Sequence, residues 1–207
     1  MSQLVVASAA SFETADLIHR LSEKAIPVTN IITGIGLTQS TIVASRLQSF
    51  VRGKDVIFCC TGGVIGPFDG VQVFSASAVR LAPLDVRRGD SELLDQFDPE
   101  CVLSGLDFGL SICEAFGSLG ISVGEERSSP GGHKLETMEL YGVARAWLSE
   151  ARSFTAIVAS TNATGPKARA QWLENFKVAA AITAETLLPK LDQLMNNNMK
   201  SDVRRQV

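Results

Sequence analysis

Two carboxylates and one carboxamide stand where ligands of an α/β protein are met. Glu139 falls at the edge of a helical stripe formed by Leu140, Val143, Ala144, Trp147 and Leu148, in the expected first turn of that helix. The helix dipole favours a carboxylate there and keeps it ionised. Partly buried, such a carboxylate needs donors, and sugar hydroxyls would serve. Glu13 lies in the first turn of another expected helix, just past the β-branched run at 4–7. Ligands of open α/β sheets bind at the carboxyl ends of such strands. Asn162 follows SFTAIVAS, an apolar run at 153–160 that reads as a buried strand. Its amide donates and accepts hydrogen bonds but transfers no proton. Taken singly, Glu139 and Asn162 read first as an ordinary first-turn and loop residue, and Glu13 fits a helix-dipole role as well as a catalytic one.

The elements that must position these side chains alternate strand with helix. The strand at 4–7 turns at 8–11, with Ser11 as expected N-cap, into a helix to about Lys24 with Leu17, Ile18 and Leu21 inward. A strand at 28–33 ends in Gly34-Ile35-Gly36, followed by a helix at 37–51. Gln39 stands where a dinucleotide fingerprint needs a third glycine, which rejects a nicotinamide cofactor. A strand at 55–60 leads into Thr61-Gly62-Gly63, read as a turn whose small residues admit a ligand. Gly66, Pro67 and Gly70 mark a loop, and 71–79 a strand. Residues 85–99 form a charged excursion, 110–119 a short helix, 120–124 a strand, and SSPGG at 128–132 a loop. Beyond a loop at 161–165 comes a long helical pattern with Trp172, Phe176, Ala180, Thr183 and Leu187 on one face, which Pro189 should kink or interrupt. The polar segment 196–207 has no apolar period and is expected to fray as a tail. The fold expected is a single α/β domain over 1–195, with a mostly parallel central sheet flanked by helices.

Composition narrows the classes. A chain of 207 residues, 45% hydrophobic, fills one such domain. The net charge of −3 comes without a basic stripe, so nucleic acid is not an expected partner. No apolar run reaches the length of a membrane span, and MSQLVVASAA lacks the basic start of a signal peptide. Mean hydropathy of +0.17 leans toward a buried subunit interface, hence a homodimer. Cys59 and Cys60 should face opposite sides of a strand. With Cys101 and Cys113 they read as reduced core thiols of a cytoplasmic protein, with no metal site.

The pattern E-x-M-E-x-x-G-V-A at 136–144 resembles the ribose-binding helix of the purine nucleoside phosphorylase and nucleosidase superfamily. The run T-N-x-x-G-P-x-x-R-x-x-W at 161–172 is similar to one branch of it, the futalosine hydrolases. The likeness covers most of the chain, and its two separated motifs agree in order. It implies a nucleoside phosphorylase-like fold and no cofactor. It implies that Met138 packs on the ribose, that Glu139 bonds its hydroxyls, and that Glu13 activates the attacking water. Thr61, Gly62 and Gly63 would flank ribose and base, and Asn162 would face the purine edge and stabilise the leaving base. The superfamily's G-V-G turn would correspond to 34–36. Where nucleosidases carry an aromatic that stacks on the purine, nothing aromatic stands between Phe116 and Tyr141, which leaves Tyr141 or Phe12 to substitute. The strand-ending turns contain no Arg or Lys to hold phosphate; Arg80 is the nearest, so water is the expected nucleophile. Asn162 suits hypoxanthine, with acceptors at O6 and N7, and still permits adenine. The readings in play are futalosine hydrolysis in menaquinone synthesis, cleavage of methylthioadenosine or S-adenosylhomocysteine, and a non-catalytic nucleoside-binding protein.

Overall fold

The computed structural model describes residues 4–82, 87, 100–120, 122 and 132–205, with the backbone alone described at 196–205. In chain order the elements are β1 (Leu4–Ser8), α1 (Ser11–Glu23), β2 (Val28–Ile32), α2 (Leu37–Arg46), α3 (Gln48–Val51), β3 (Asp55–Val64), β4 (Val73–Leu81), β5 (Glu100–Val102), β6 (Ser111–Gly117), β7 (His133–Thr137), α4 (Leu140–Trp147), β8 (Ser153–Ala163) and α5 (Ala168–Arg205).

Strand β1 is buried along its whole length and pairs in parallel with β2 and β3. Its apolar run reflects cover on both faces. Strand β3 continues the sheet to β8 in parallel, and its last residues, Gly63 and Val64, pair antiparallel with β7. Strand β7 runs parallel to β6, and β6 parallel to β4. Strand β4 then pairs antiparallel with β8. The strands β3, β7, β6, β4 and β8 thus close on themselves, with β1 and β2 as an extension and β5 on the outside of β4. The sheet is therefore mixed and barrel-like, where the sequence suggests a mostly parallel one. Antiparallel joins at β3–β7 and β4–β8 complete the circuit.

The core has two sides. Phe58, Cys60, Phe154 and Trp147 pack on the side covered by α2 and α4; Ile57, Cys59, Ile157, Leu17 and Leu187 pack on the side of α1 and α5. The neighbouring cysteines sit in different clusters, as alternation along a strand requires.

Several elements differ from expectation. Residues 111–117 are a strand, not a helix, because partners stand on both sides of them in β4 and β7. Thr61–Gly63 continue β3, and Thr161–Ala163 continue β8, with Gly63 opposite Asn162. The helix expected over 37–51 breaks at Leu47, where ψ is 10°. Helix α5 runs through Pro189 and stays helical to Arg205, where fraying is suggested by the sequence. Leu187 and Leu191 are fully buried beside the proline and hold the helix against the sheet. Pro189 itself is exposed, so water can satisfy the carbonyl it frees. Gly120 and Ser122 are not in a strand, while 121, 123 and 124 lie outside the described residues. So do the excursion at 85–99, apart from Arg87, and the loop residues 128–131.

Candidate active site

The carboxyl ends of β1 and β3 meet the start of α1. Ala10, in extended conformation, is the N-cap; Ser11 is the first helical residue. Glu13 turns its carboxylate back over the end of the helix. Its Oε2 accepts from the amides of Ala9 (3.0 Å) and Ala10 (3.1 Å). Its Oε1 accepts from the Thr61 amide (3.0 Å) and hydroxyl (3.3 Å). One side chain therefore ties together β1, α1 and β3. It is 7% exposed. Burial, and then the nearby charge of Glu139, push its pKa up to about 7 against the pull of the Ala10 and Thr61 amides. A carboxyl in that range exchanges a proton readily at neutral pH.

Glu139 occupies the N-cap of α4. Its Oε1 accepts from the Gly36 amide at 2.8 Å. Gly36 has φ of 87°, which a side chain would strain, so glycine is needed to aim this N–H. Helices α2 and α4 cross here in close contact: a Cβ on Gly142 would lie 1.9 Å from Thr41 Oγ1. That accounts for the glycine in the 136–144 pattern. Burial raises the pKa of Glu139, opposed by the amides of Gly36, Met138 and Glu139 itself. The dipole and amide donors expected to keep it ionised are present, but desolvation outweighs them.

Asn162 lies in the extension of β8, where a bulge shifts the register between Gly62 and Gly63. Its Oδ1 accepts from Thr161 Oγ1 (2.8 Å), and its Nδ2 donates to the Ala163 carbonyl (2.9 Å). One N–H and one acceptor position of the amide are left over. Gly63 makes room for it, since a Cβ there would sit 2.7 Å from Nδ2. Gly62 is confined too, with Val158 Cγ1 2.9 Å from such a Cβ. Neither has positive φ, so close approach explains these glycines and a turn does not.

Glu13, Glu139, Asn162 and Met138 all line one pocket of about 280 Å³, as do Thr61, Gly62 and Gly63. Its size is near the lower end for small-molecule sites. Phe12 and Trp172 supply its aromatic wall, in edge contact at 5.9 Å, with Trp172 Nε1 donating to Thr61 Oγ1 at 3.3 Å. Tyr141 does not line it; that ring is buried in the core. Arg80 does not line it either and pairs with Glu100 and Glu114.

Among the lining residues not expected from the sequence are Glu136, Ile35 and Arg169. Glu136 is buried and accepts from the amide and hydroxyl of Ser122 and from Arg87 Nη2 (2.7 Å). Ile35 projects from the glycine turn. Arg169 lies in the first turn of α5, one turn before Trp172. Its signal was the R-x-x-W spacing within the 161–172 run. A basic residue sought in the strand-ending turns came from a helix instead.

No family model and no curated protein matches the chain. Solved structures do. A 5′-methylthioadenosine/S-adenosylhomocysteine nucleosidase from Helicobacter pylori superposes with a TM-score of 0.71 over 93% of this chain and 98% of its own, at 13% identity. A futalosine hydrolase of the same organism gives 0.72 over 93% and 100%, at 10% identity. A 5′-methylthioadenosine/S-adenosylhomocysteine nucleosidase from Neisseria meningitidis, in complex with methylthio-immucillin-A, gives 0.68 over 90% and 97%, at 15% identity.

The chain has the nucleosidase fold.

The superpositions span nearly the whole of both chains, at identities that speak for the fold alone. Among the described residues, no helix of this nucleosidase-fold chain is long and apolar enough to cross a membrane.

Proposed function

We propose that this chain hydrolyses the N-ribosidic bond of a purine nucleoside. Futalosine is the preferred substrate, releasing hypoxanthine in menaquinone synthesis. The observation that carries the reading is the pair of buried carboxylates, Glu13 and Glu139, lining one pocket with the amide of Asn162. Glu139 would accept hydrogen bonds from the ribose hydroxyls and stabilise the positive charge that grows on the sugar as the bond to the base weakens, as carboxylates do in glycoside hydrolysis. Glu13, with a pKa near neutrality, would take a proton from the attacking water. A C–O bond forms at the anomeric carbon as the C–N bond breaks; Glu13 passes the proton it took from water to solvent, and the departing base takes one up from solvent. Asn162 would donate its spare N–H to O6 or N7 of that base, which suits a 6-oxopurine. Met138 would pack on the ribose, and Thr61, Gly62 and Gly63 would flank it.

Residues 1–195 are taken as the working domain and 196–207 as its polar tail. Four free buried cysteines are in keeping with a reducing, cytoplasmic setting. Exposed Ile32, Ile35 and Ile42 support a homodimer. The test is to incubate the protein with futalosine and with methylthioadenosine, with and without phosphate, and to identify the base and sugar released. Hypoxanthine and an unphosphorylated sugar, at a rate indifferent to phosphate, are expected. Adenine release from methylthioadenosine alone would move the substrate to the other nucleosidase class, and release of neither base would leave a binding protein.

A further inference from the structure

We infer that Gln171 and Asn175, on the first turns of α5, are positioning residues that set the direction of the Asn162 amide and so its hold on the leaving base. This rests on the proposed nucleosidase reading and names what gives that same site its choice of base. Strand β4 reaches β8 no further than Val73 opposite Ala159. Among the described residues, 161–163 therefore have a strand partner only in β3. The register shift between Gly62 and Gly63 leaves Thr161 without a residue opposite it. A bulge of this kind re-aims a side chain. It also frees backbone groups that need partners elsewhere.

Helix α5 supplies those partners. Asn175 Nδ2 donates to the Thr161 carbonyl at 2.9 Å, and Gln171 Oε1 accepts from the Ala163 amide at 3.0 Å. Thr161 and Ala163 are also the two residues that hold the Asn162 side chain, one at Oδ1 and the other at Nδ2. Each end of the amide is thus fixed by a residue that α5 fixes in turn. Asn175 donates as well to the Gln171 carbonyl at 2.9 Å, which joins the two clamps across one turn. Trp172, beside Gln171, donates to Thr61 and seats the helix on β3. An asparagine free to flip could offer the base either a donor or an acceptor. Here a flip would set Oδ1 against the Ala163 carbonyl, acceptor facing acceptor. The clamps on Thr161 and Ala163 therefore keep the choice of a donor for the base.

The experiment compares inosine with 4-nitrophenyl riboside, whose leaving group needs no amide, on wild type, Gln171→Met, Gln171→Glu and Asn175→Leu. Circular dichroism checks the fold of each. Gln171→Met and Asn175→Leu break different bonds, so if one fails to fold the other decides. Each should lower kcat/KM for inosine by about tenfold, the worth of one placed hydrogen bond, and leave the nitrophenyl riboside unchanged. Gln171→Glu keeps the acceptor for Ala163 and should keep the inosine rate. In an Asn162→Ala background Gln171→Met should cost inosine nothing further, because effects that act through one side chain do not add. An equal loss on both substrates overturns the assignment. So does a loss in Gln171→Glu equal to that in Gln171→Met, or losses that add to that of Asn162→Ala. Wild-type inosine turnover in the folded Gln171→Met and Asn175→Leu variants overturns it too. If wild type cleaves neither substrate, the nucleosidase reading fails. Inosine binding by equilibrium dialysis, in the same variants and the same background, then decides the positioning role.

Discussion

Glu139→Gln keeps the shape of the side chain and an acceptor for the Gly36 amide while removing the charge. The variant should fold as wild type by circular dichroism and lose turnover by a factor on the order of 10²–10³, the usual worth of one electrostatic contact to a transition state. Wild-type turnover in a folded variant would end its proposed role. Glu13 carries two pH effects. As a base it must be ionised, and its pKa is raised from 4.5 to about 7, so kcat/KM should fall as pH drops below about 7. For stability the sign is the reverse of a salt-bridged carboxylate. Between pH 4.5 and about 7 the folded chain holds a proton that the unfolded chain has lost, so stability declines as pH rises through that window. The decline should total on the order of 3 kcal/mol and level off above it. Glu13→Gln should lack that slope in chemical unfolding measured at pH 5, 6, 7 and 8, whatever its absolute stability. At Asn162 the Ala163 carbonyl needs a donor opposite it. An Asp there must be protonated or turn away, and a protonated Asp could donate to N7 while accepting from N6 of adenine. Asn162→Asp should shift the hypoxanthine-to-adenine ratio of kcat/KM toward adenine by about tenfold. An unchanged ratio in an active variant would remove Asn162 from base recognition.

At the scale of elements, the carboxylate at the N-cap of α4 is only as well placed as the crossing of α2 and α4. Gly142 sets that crossing. Alanine there would press on Thr41 Oγ1 at 1.9 Å and on Thr41 Cβ at 3.1 Å. Rotating Thr41 away would break its 2.6 Å bond to the Leu37 carbonyl. The helices must therefore part, and with them the Gly36 amide from Glu139. Gly142→Ala should cost about 1–3 kcal/mol in chemical denaturation. It should also weaken nucleoside binding, because the start of α2 carries the Gly36 donor. A variant that loses stability but binds as wild type would show that the two helices do not set the ribose contact.

At the scale of the molecule, the pocket is bordered by a residue the chain leaves uncovered. Ile35 lines it and is 59% exposed, and Ile32 and Ile42 are exposed nearby in sequence. A second copy of the chain would cover such a patch. Sedimentation velocity should give twice 22.1 kDa for wild type. Ile35→Glu should yield monomer with lower activity. A monomeric wild type would remove the homodimer from the proposal.

Local physical chemistry made part of this protein legible before any fold was known. Alternation placed Cys59 and Cys60 on opposite faces, and the apolar stripe from Leu140 located the helix that Glu139 caps. Those signals depend on residues a few positions apart. The closed sheet, the strand at Ser111–Gly117 and the extension of β3 through Gly63 depend on partners remote in sequence. A short apolar segment takes whichever hydrogen bonds its neighbours offer, and propensity alone does not choose. The site divides the same way. Glu13, Glu139 and Asn162 were visible as residue types at telling positions, whereas the raised pKa of Glu13 needed burial and the charge of Glu139. Arg169 sits in the R-x-x-W spacing of the 161–172 run, but only the fold brings the start of α5 beside the ends of β1 and β3 and so into the pocket.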